Sequence, residues 1–353
     1  AGELGPQFDT SPGWAEETDR KARQTQERLE GELNQNKSNL VKESIRQGYN
    51  ELGQYHYSRG DLNQAMKFYV RTRDYCTSNR HMAEMCVRVI QVSVDLNNYV
   101  QVSNHVSKAE HLSDMLEPET VAKLAAASAL GLLKSQQYKQ AARKFLVVGT
   151  AISDTFSGVI AAEDVALYGG LCAVAAFDRD ELKSAVLESS IFRNFLDLKP
   201  KIRDAIQDLF SSKYGAGLNA LEAMKGELFL DIHLKDHVNN LFSMIKDRCL
   251  VQYFSPYLSV SLASMATAFS SPVEEIEASV AKLIMSGQIS ARIDSQSKTL
   301  HVKQTEKRAA TYRKVLGMGE VYLSEMQAML IRMSCLEQDF VVRGRPSMVG
   351  AMG

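Results

Sequence analysis

Between Phe254 and Val302 the spacing of apolar residues switches from a helical period to a strand period within one short stretch, and few folds accommodate that switch. Leu258, Leu262, Met265 and Phe269 recur at helical spacing and mark one face of a first helix. Ser270, Ser271 and Pro272 end it. Ser271 is placed to cap a second helix, with Pro272 at the first helical position and Glu274 completing a capping box. Val273, Ile276, Val280, Leu283 and Ile284 form the core face of that helix, and Gly287 stands where a left-handed residue can close it. Ile289, Ala291 and Ile293 then alternate, Asp294 to Lys298 supply polar turn chemistry, and Leu300 and Val302 alternate again on a return strand. Helix, turn, helix and hairpin predict a winged helix over 251–303.

Upstream, from Val41 to Leu250, strand-like alternation is absent and a helical pattern repeats. Leu52-Gly53, Gly60, Ala65 and Tyr69 match the small and large positions of a tetratricopeptide-type helix pair, in which small residues let two helices cross closely. Leu62-x-x-Ala65-x-x-x-Tyr69 is echoed at Tyr99/Val102/Val106, Tyr138/Ala141/Phe145 and Leu182/Ala185/Ser189. Asp61, Asn98, Gln137 and Asp180 each precede the motif as candidate caps. An irregular repeat array over 41–250 is therefore expected, with one continuous core and surfaces suited to protein partners. Tyr214 to Gly217, with two glycines, reads as a hinge or loop, and Leu234, Val238, Leu241, Phe242 and Ile245 as a last helix packed into the winged helix. Residues 1–40 read as an arm: no periodicity to about Pro12, then a charged stretch from Trp14 to Asn39 that suits a solvated helix or a disordered segment.

Beyond Val302 a basic start (Lys303, Lys307, Arg308, Arg313, Lys314) leads into Val315, Met318, Tyr322, Met326, Met329, Met333, Leu336 and Phe340. Their steps of three and four residues are nearly those of a heptad seam, which packs lengthwise against other helices. The seam follows the last recognisable domain, so 304–341 is expected to be a bundle helix seeking partners outside this chain, or a second copy when isolated. Residues 342–353 read as a flexible tail.

Chemistry is sparse. The five cysteines are scattered and never in a C-x-x-C pair, which suits free thiols in a reducing compartment. His233 and His237 are four apart, but Leu234 and Lys235 follow His233, so the H-E-x-x-H metal arrangement fails. The pairs Gly169-Gly170, Gly215/Gly217 and Gly317/Gly319 lack the remainder of a phosphate-binding loop. No catalytic residue, metal or cofactor is expected. The longest near-apolar run, Leu124 to Leu133, is short of the roughly 20 residues of a membrane span. No basic-then-apolar secretory start is visible. With 41 basic and 42 acidic residues the net charge is -1, so no global field draws in nucleic acid or anionic membrane. The second helix of the winged motif carries Glu274, Glu275 and Glu277 against Lys282, which opposes docking on phosphates.

A helical array running into a winged helix resembles the PCI domain, shared by the proteasome lid, the signalosome and a translation initiation factor. Tyr49–Tyr75 (YNELGQYHYSRGDLNQAMKFYVRTRDY), Val159–Tyr168 (VIAAEDVALY), Phe192–Leu196 (FRNFL) and Asp247–Tyr257 (DRCLVQYFSPY) are similar to the COP-nine signalosome's members of that family, and less so to those of the proteasome lid. The resemblance runs from about Val41 to Tyr322. It implies a non-catalytic scaffold subunit, in nucleus and cytoplasm, of a complex that removes the ubiquitin-like modifier Nedd-eight from cullins, with the zinc protease centre on another subunit. It further implies partners among PCI-containing signalosome subunits and cullin-ligase components, edge-to-edge pairing of winged helices, and a shared bundle of C-terminal helices. The expected subunit interface is accordingly Ile289, Ala291, Ile293, Thr299, Leu300 and Val302 on the wing, with the seam from Val315 to Phe340 in the bundle. A proteasome lid scaffold and a nucleic-acid-binding winged helix are the alternatives.

Overall fold

The computed structural model describes residues 12–111, 117–148, 158–303, 307–338 and 340. Their repeat signal becomes helix pairs: α1 (Pro12–Ser38), α2 (Lys42–Ser58) and α3 (Leu62–Arg71), then α4 (Asn79–Asp95) with α5 (Tyr99–Glu110), and α6 (Pro118–Lys134) with α7 (Tyr138–Val147). Leu62, Tyr99 and Tyr138 each open the second helix of a pair. Asp61 and Asn98 cap these helices, their side chains accepting the Gln64 and Gln101 N–H at 3.3 Å; Gln137 makes no such bond. The motif positions Ala65/Tyr69, Val102/Val106 and Ala141/Phe145 are all buried. At Gly53 a Cβ would lie 2.5 Å from the Tyr69 ring, so this crossing of α2 and α3 needs the glycine.

The array continues through α8 (Ala162–Ala176), α9 (Arg179–Leu182), a π turn over Lys183–Leu187, α10 (Ser190–Leu196), α11 (Pro200–Phe210), α12 (Tyr214–Phe229) and α13 (Val238–Phe254). Helix α8 is buried on nearly all sides because α7, α10, α11 and α13 all pack on it, which explains its apolar sequence without amphipathic period.

One expectation is narrowed here and two change. Of the solvated helix and the disordered segment, the stretch from Pro12 is the helix: it is largely exposed but seats on α2 through Leu29 and Leu33, which join one core cluster with Ile45, Tyr49 and Leu52, and through the Tyr55 hydroxyl to the Ala22 carbonyl at 2.8 Å. The fourth motif echo is not a helix pair like the others: Leu182 ends α9 rather than opening a helix, and Ser189 caps α10 by accepting the Phe192 N–H. Tyr214 to Gly217 is neither hinge nor loop but the first turn of α12. A Cβ at Gly217 would lie 2.7 Å from Leu209 and one at Gly215 2.8 Å from Ser270 Oγ, so both glycines serve close helix approach.

The described residues form two compact units: one runs up to Tyr257 and includes Ser261–Ile289, the other joins Leu258–Val260 to the residues from Ser290 onward. In the first unit, α14 (Leu262–Phe269) and α15 (Val273–Met285) supply the helix-turn-helix. Phe269 stacks on Tyr214 with centroids 5.1 Å apart, and Tyr253 meets both rings edge-on, so α12, α13 and α14 share an aromatic junction. Leu262, Met265 and Phe269 are buried as their spacing requires. Leu258 is not on that helix; it is exposed and precedes the strand β1 (Ser259–Ser261). The capping box does not form either, because the Ser271 hydroxyl turns back to the Phe269 carbonyl and leaves the α15 N-terminus without a side-chain cap. On α15, Ile276, Val280 and Leu283 are buried while Val273 and Ile284 are half-buried. Gly287 has φ +75° and closes α15 through Gly287 N–H to Ile284 O and Gln288 N–H to Leu283 O, the Schellman pattern.

The second unit holds β2 (Ala291–Asp294), β3 (Thr299–Val302) and α16 (Lys307–Glu337). With β1 these make a three-stranded sheet in the order β1-β3-β2. The short β1 carries too few residues for a period to show, which is why only the hairpin was legible.

Candidate assembly surfaces

The wing is built by one turn. Asp294 Oδ1 accepts the Gln296 N–H at 3.0 Å and its Oδ2 accepts the Ser297 hydroxyl at 2.6 Å, and these hydrogen bonds, the serine's foremost, hold the Asp294 carboxyl below its usual range. The turn fixes the antiparallel register Ala291↔Val302, Arg292↔His301, Ile293↔Leu300 and Asp294↔Thr299. Lys303 N–H donates to Ser290 O at 2.9 Å, and Val302 N–H turns the other way to Leu258 O at 2.9 Å. Because hydrogen-bonded and open pairs alternate in an antiparallel ladder, Arg292 and Asp294 direct their main-chain groups into β3, and Ala291 and Ile293 direct theirs outward. Strand β2 therefore presents an edge whose donors and acceptors belong to two defined residues.

The six wing residues separate accordingly. Ala291 and Leu300 are buried, Ile293, Thr299 and Val302 are half-buried. Ile289 is buried but precedes β2 instead of lying on it, since the chain is still leaving the Schellman turn there. Thr299 lies on the central strand and its amide belongs to the ladder with Asp294, so it is not an edge residue.

Among the described residues, helix α16 differs from every other helix in leaving its apolar side chains uncovered. Val315, Met318, Tyr322, Met326, Met329, Met333 and Leu336 follow one face, and all are exposed, from 38% at Met326 to 72% at Leu336; Phe340, beyond the helix, is exposed too. A second apolar row, Tyr312, Leu316, Leu323 and Leu330, runs beside the first and is equally exposed. At about 100° per residue, the two rows span nearly half the helix circumference, wider than the seam of a two-helix coil. Arg313, Glu320, Ser324 and Arg332 lie opposite. This second row was readable in the sequence by its steps of four and seven.

Two family models match the chain: 26S proteasome subunit RPN7 over residues 11–185 and the PCI domain over residues 219–304. The COP9 signalosome complex subunit 1 of Arabidopsis thaliana is 44% identical over 96% of this chain and 77% of its own length. The chain belongs to the COP9 signalosome subunit 1 family. The Drosophila melanogaster subunit 1b is 40% identical over 95% of this chain, which spans 65% of that relative's length. The proteasome lid paralogues are more distant: the 26S proteasome non-ATPase regulatory subunit 6 of Caenorhabditis elegans is 23% identical over 85% of the chain and 74% of its own length. The PCI match ends at residue 304, so the wing lies within the family's shared module and α16 follows it.

Proposed function

We propose that this chain is a non-catalytic scaffold subunit of the COP9 signalosome and joins its neighbours by two surfaces, the outward edge of β2 and the apolar face of α16. The observation that carries the reading is α16: two adjacent rows of exposed apolar side chains are costly in water at roughly 25 cal/mol per Å². Their width suits a helix touching at least two others in a bundle. The β2 edge adds a second, weaker contact in which a neighbouring PCI subunit's strand pairs with Ala291 and Ile293.

Within this reading the complex removes Nedd-eight from cullins, cullin-ligase components are partners, and the protease centre is on another subunit. Among the described residues no group of three or more His, Cys, Asp or Glu side chains is placed to hold a metal ion. Residence in nucleus and cytoplasm is consistent with five cysteines that are all free thiols. The acidic first turn of α15, Glu274 and Glu275, argues against its lying in a DNA groove. Reconstitution with purified signalosome subunits tests the reading: removal of residues 315–353 should block entry into the complex, and entry at wild-type levels would refute it. A gel shift at physiological salt should show no sequence-specific duplex binding.

A further inference from the structure

The connection between α12 and α13 is pinned from below and apolar above. The Tyr168 hydroxyl on α8 lies 2.8 and 2.9 Å from the two Asp231 carboxylate oxygens, and Asp231 Oδ1 also accepts the N–H groups of His233 and Leu234 at 2.8 and 2.9 Å. Leu234 is fully buried. Between and before these anchors, Leu230 and Ile232 point to solvent, 87% and 84% exposed. A fixed backbone thus holds two large aliphatic side chains in water, where neither contributes to the fold.

Beside them lies a cleft of about 450 Å³, whose walls include Asp95, Asn97, Val159, Asp164, Asp231 and His233 as well as Leu230 and Ile232. Among the described residues three carboxylates line it and no lysine or arginine does. Burial, with a smaller contribution from the Asp231 charge, pushes the Asp164 carboxyl up, and Lys199, which offsets this, is engaged by Glu163 at 2.7 Å. His233 forms part of the wall, its Nε2 donating to the Val159 carbonyl, which can only accept, at 3.3 Å, while its Nδ1 is shut off from solvent and offers an occupant nothing. Burial lowers the His233 pKa. The described cleft side chains therefore offer carboxylate acceptors, while the Tyr168 hydroxyl is spent on Asp231 and the Asn97 amide is the remaining donor group.

A complementary occupant needs positive charge, several N–H donors in a fixed array, and apolar neighbours. Guanidinium has five N–H donors and pairs with carboxylates in two-point contacts, which a single ammonium cannot reproduce. We infer that this cleft docks an arginine side chain of a protein partner, whose adjacent apolar residues lie on Leu230 and Ile232. None of these residues belongs to the wing or to α16, so this docking and the assembly reading stand or fall separately.

The test uses the full chain and two randomised hexapeptide libraries, one with arginine fixed at the third position and one with citrulline there. The immobilised chain should retain the arginine library about tenfold or more over the citrulline library, since citrulline removes the charge and keeps the shape. Asp95→Asn/Asp164→Asn should abolish that preference while leaving circular dichroism unchanged, because asparagine can still accept the Tyr57 hydroxyl and Ala161 N–H bonds these carboxylates receive. Leu230→Ser/Ile232→Ser should remove enrichment of apolar residues at positions two and four. Retention of neither library, equal retention of both, or a preference that survives Asp95→Asn/Asp164→Asn would overturn the proposal. So would sedimentation showing that the chain pairs with itself and that Leu230→Ser/Ile232→Ser abolishes the pairing, which would assign the surface to a second copy.

Discussion

Replacing Met326, Met329 and Met333 together with glutamate should separate a partner-facing α16 from an ordinary core stripe. These side chains are 38%, 56% and 54% exposed in the single chain. Full burial of a methionine side chain contributes about 1.5–3 kcal/mol, so covering the exposed half of each contributes about 1 kcal/mol, or about 2–4 kcal/mol for the three. At about 1.4 kcal/mol per tenfold, assembly should weaken by about 30- to 700-fold. The isolated chain should barely notice, because those faces are already in water. Were the three packed in a core, their loss would cost about 6–15 kcal/mol, and at about 2–4 °C per kcal/mol the melting temperature would fall by more than ten degrees. Calorimetry of the isolated variant and titration into a mixture of the other signalosome subunits give both numbers. A large fall in melting temperature, or undiminished assembly, would refute the reasoning.

Other expectations follow from single residues. Ala291→Pro removes an outward N–H and should weaken pairing with a neighbouring PCI subunit while the hairpin stays folded, whereas Thr299→Pro breaks the β2–β3 ladder and should disorder the wing; amide exchange of the wing distinguishes them. In α12, Gly217→Ala should destabilise the fold by about 1–3 kcal/mol through its clash with Leu209, but Gly226→Ala, with nothing within 4 Å of the new Cβ, should stabilise it by about 0.5–1 kcal/mol in urea melts. Burial lowers the pKa of both His233 and His237 from 6.5, so the unfolded chain binds more protons on acidification. Their contribution to stability is therefore present above pH 6.5 and lost as the pH falls through the lowered folded values. His233→Gln/His237→Gln should flatten the dependence of unfolding free energy on pH in that window; an unchanged slope would contradict the assignment.

Elements whose apolar residues recur on one face were legible in the sequence: α3 and α5 begin at their expected caps, and α7, α14 and α15 bury residues of the face the period marks although their expected caps or starts do not all hold. So was the hairpin, because alternation and a polar turn coincide. The failures have physical causes. Glycines in a row read as a loop at Tyr214–Gly217, since nothing in the local sequence reveals that Leu209 and Ser270 will press against them. Ser271 had the composition of a cap, yet its hydroxyl found the Phe269 carbonyl instead. Strand β1 is too short for a pattern and gains its partner only when β3 arrives, so the identity of the edge strand could not be read. Of the candidate assembly surfaces, the methionine row was plain in the spacing and the direction of each edge amide was not, because the latter depends on register. The four stretches from Tyr49 to Tyr257 pointed to the family independently of any of this.

Affinity purification of the tagged full chain from cells, beside the same chain ending at Lys314, with the bound proteins identified by mass spectrometry, decides whether α16 joins the chain to the complex. The full chain should bring down the signalosome subunits, and the shortened chain, still folded by circular dichroism, should lose them. Recovery of proteasome lid subunits in their place, or a shortened chain that retains the whole complex, would contradict the proposed function.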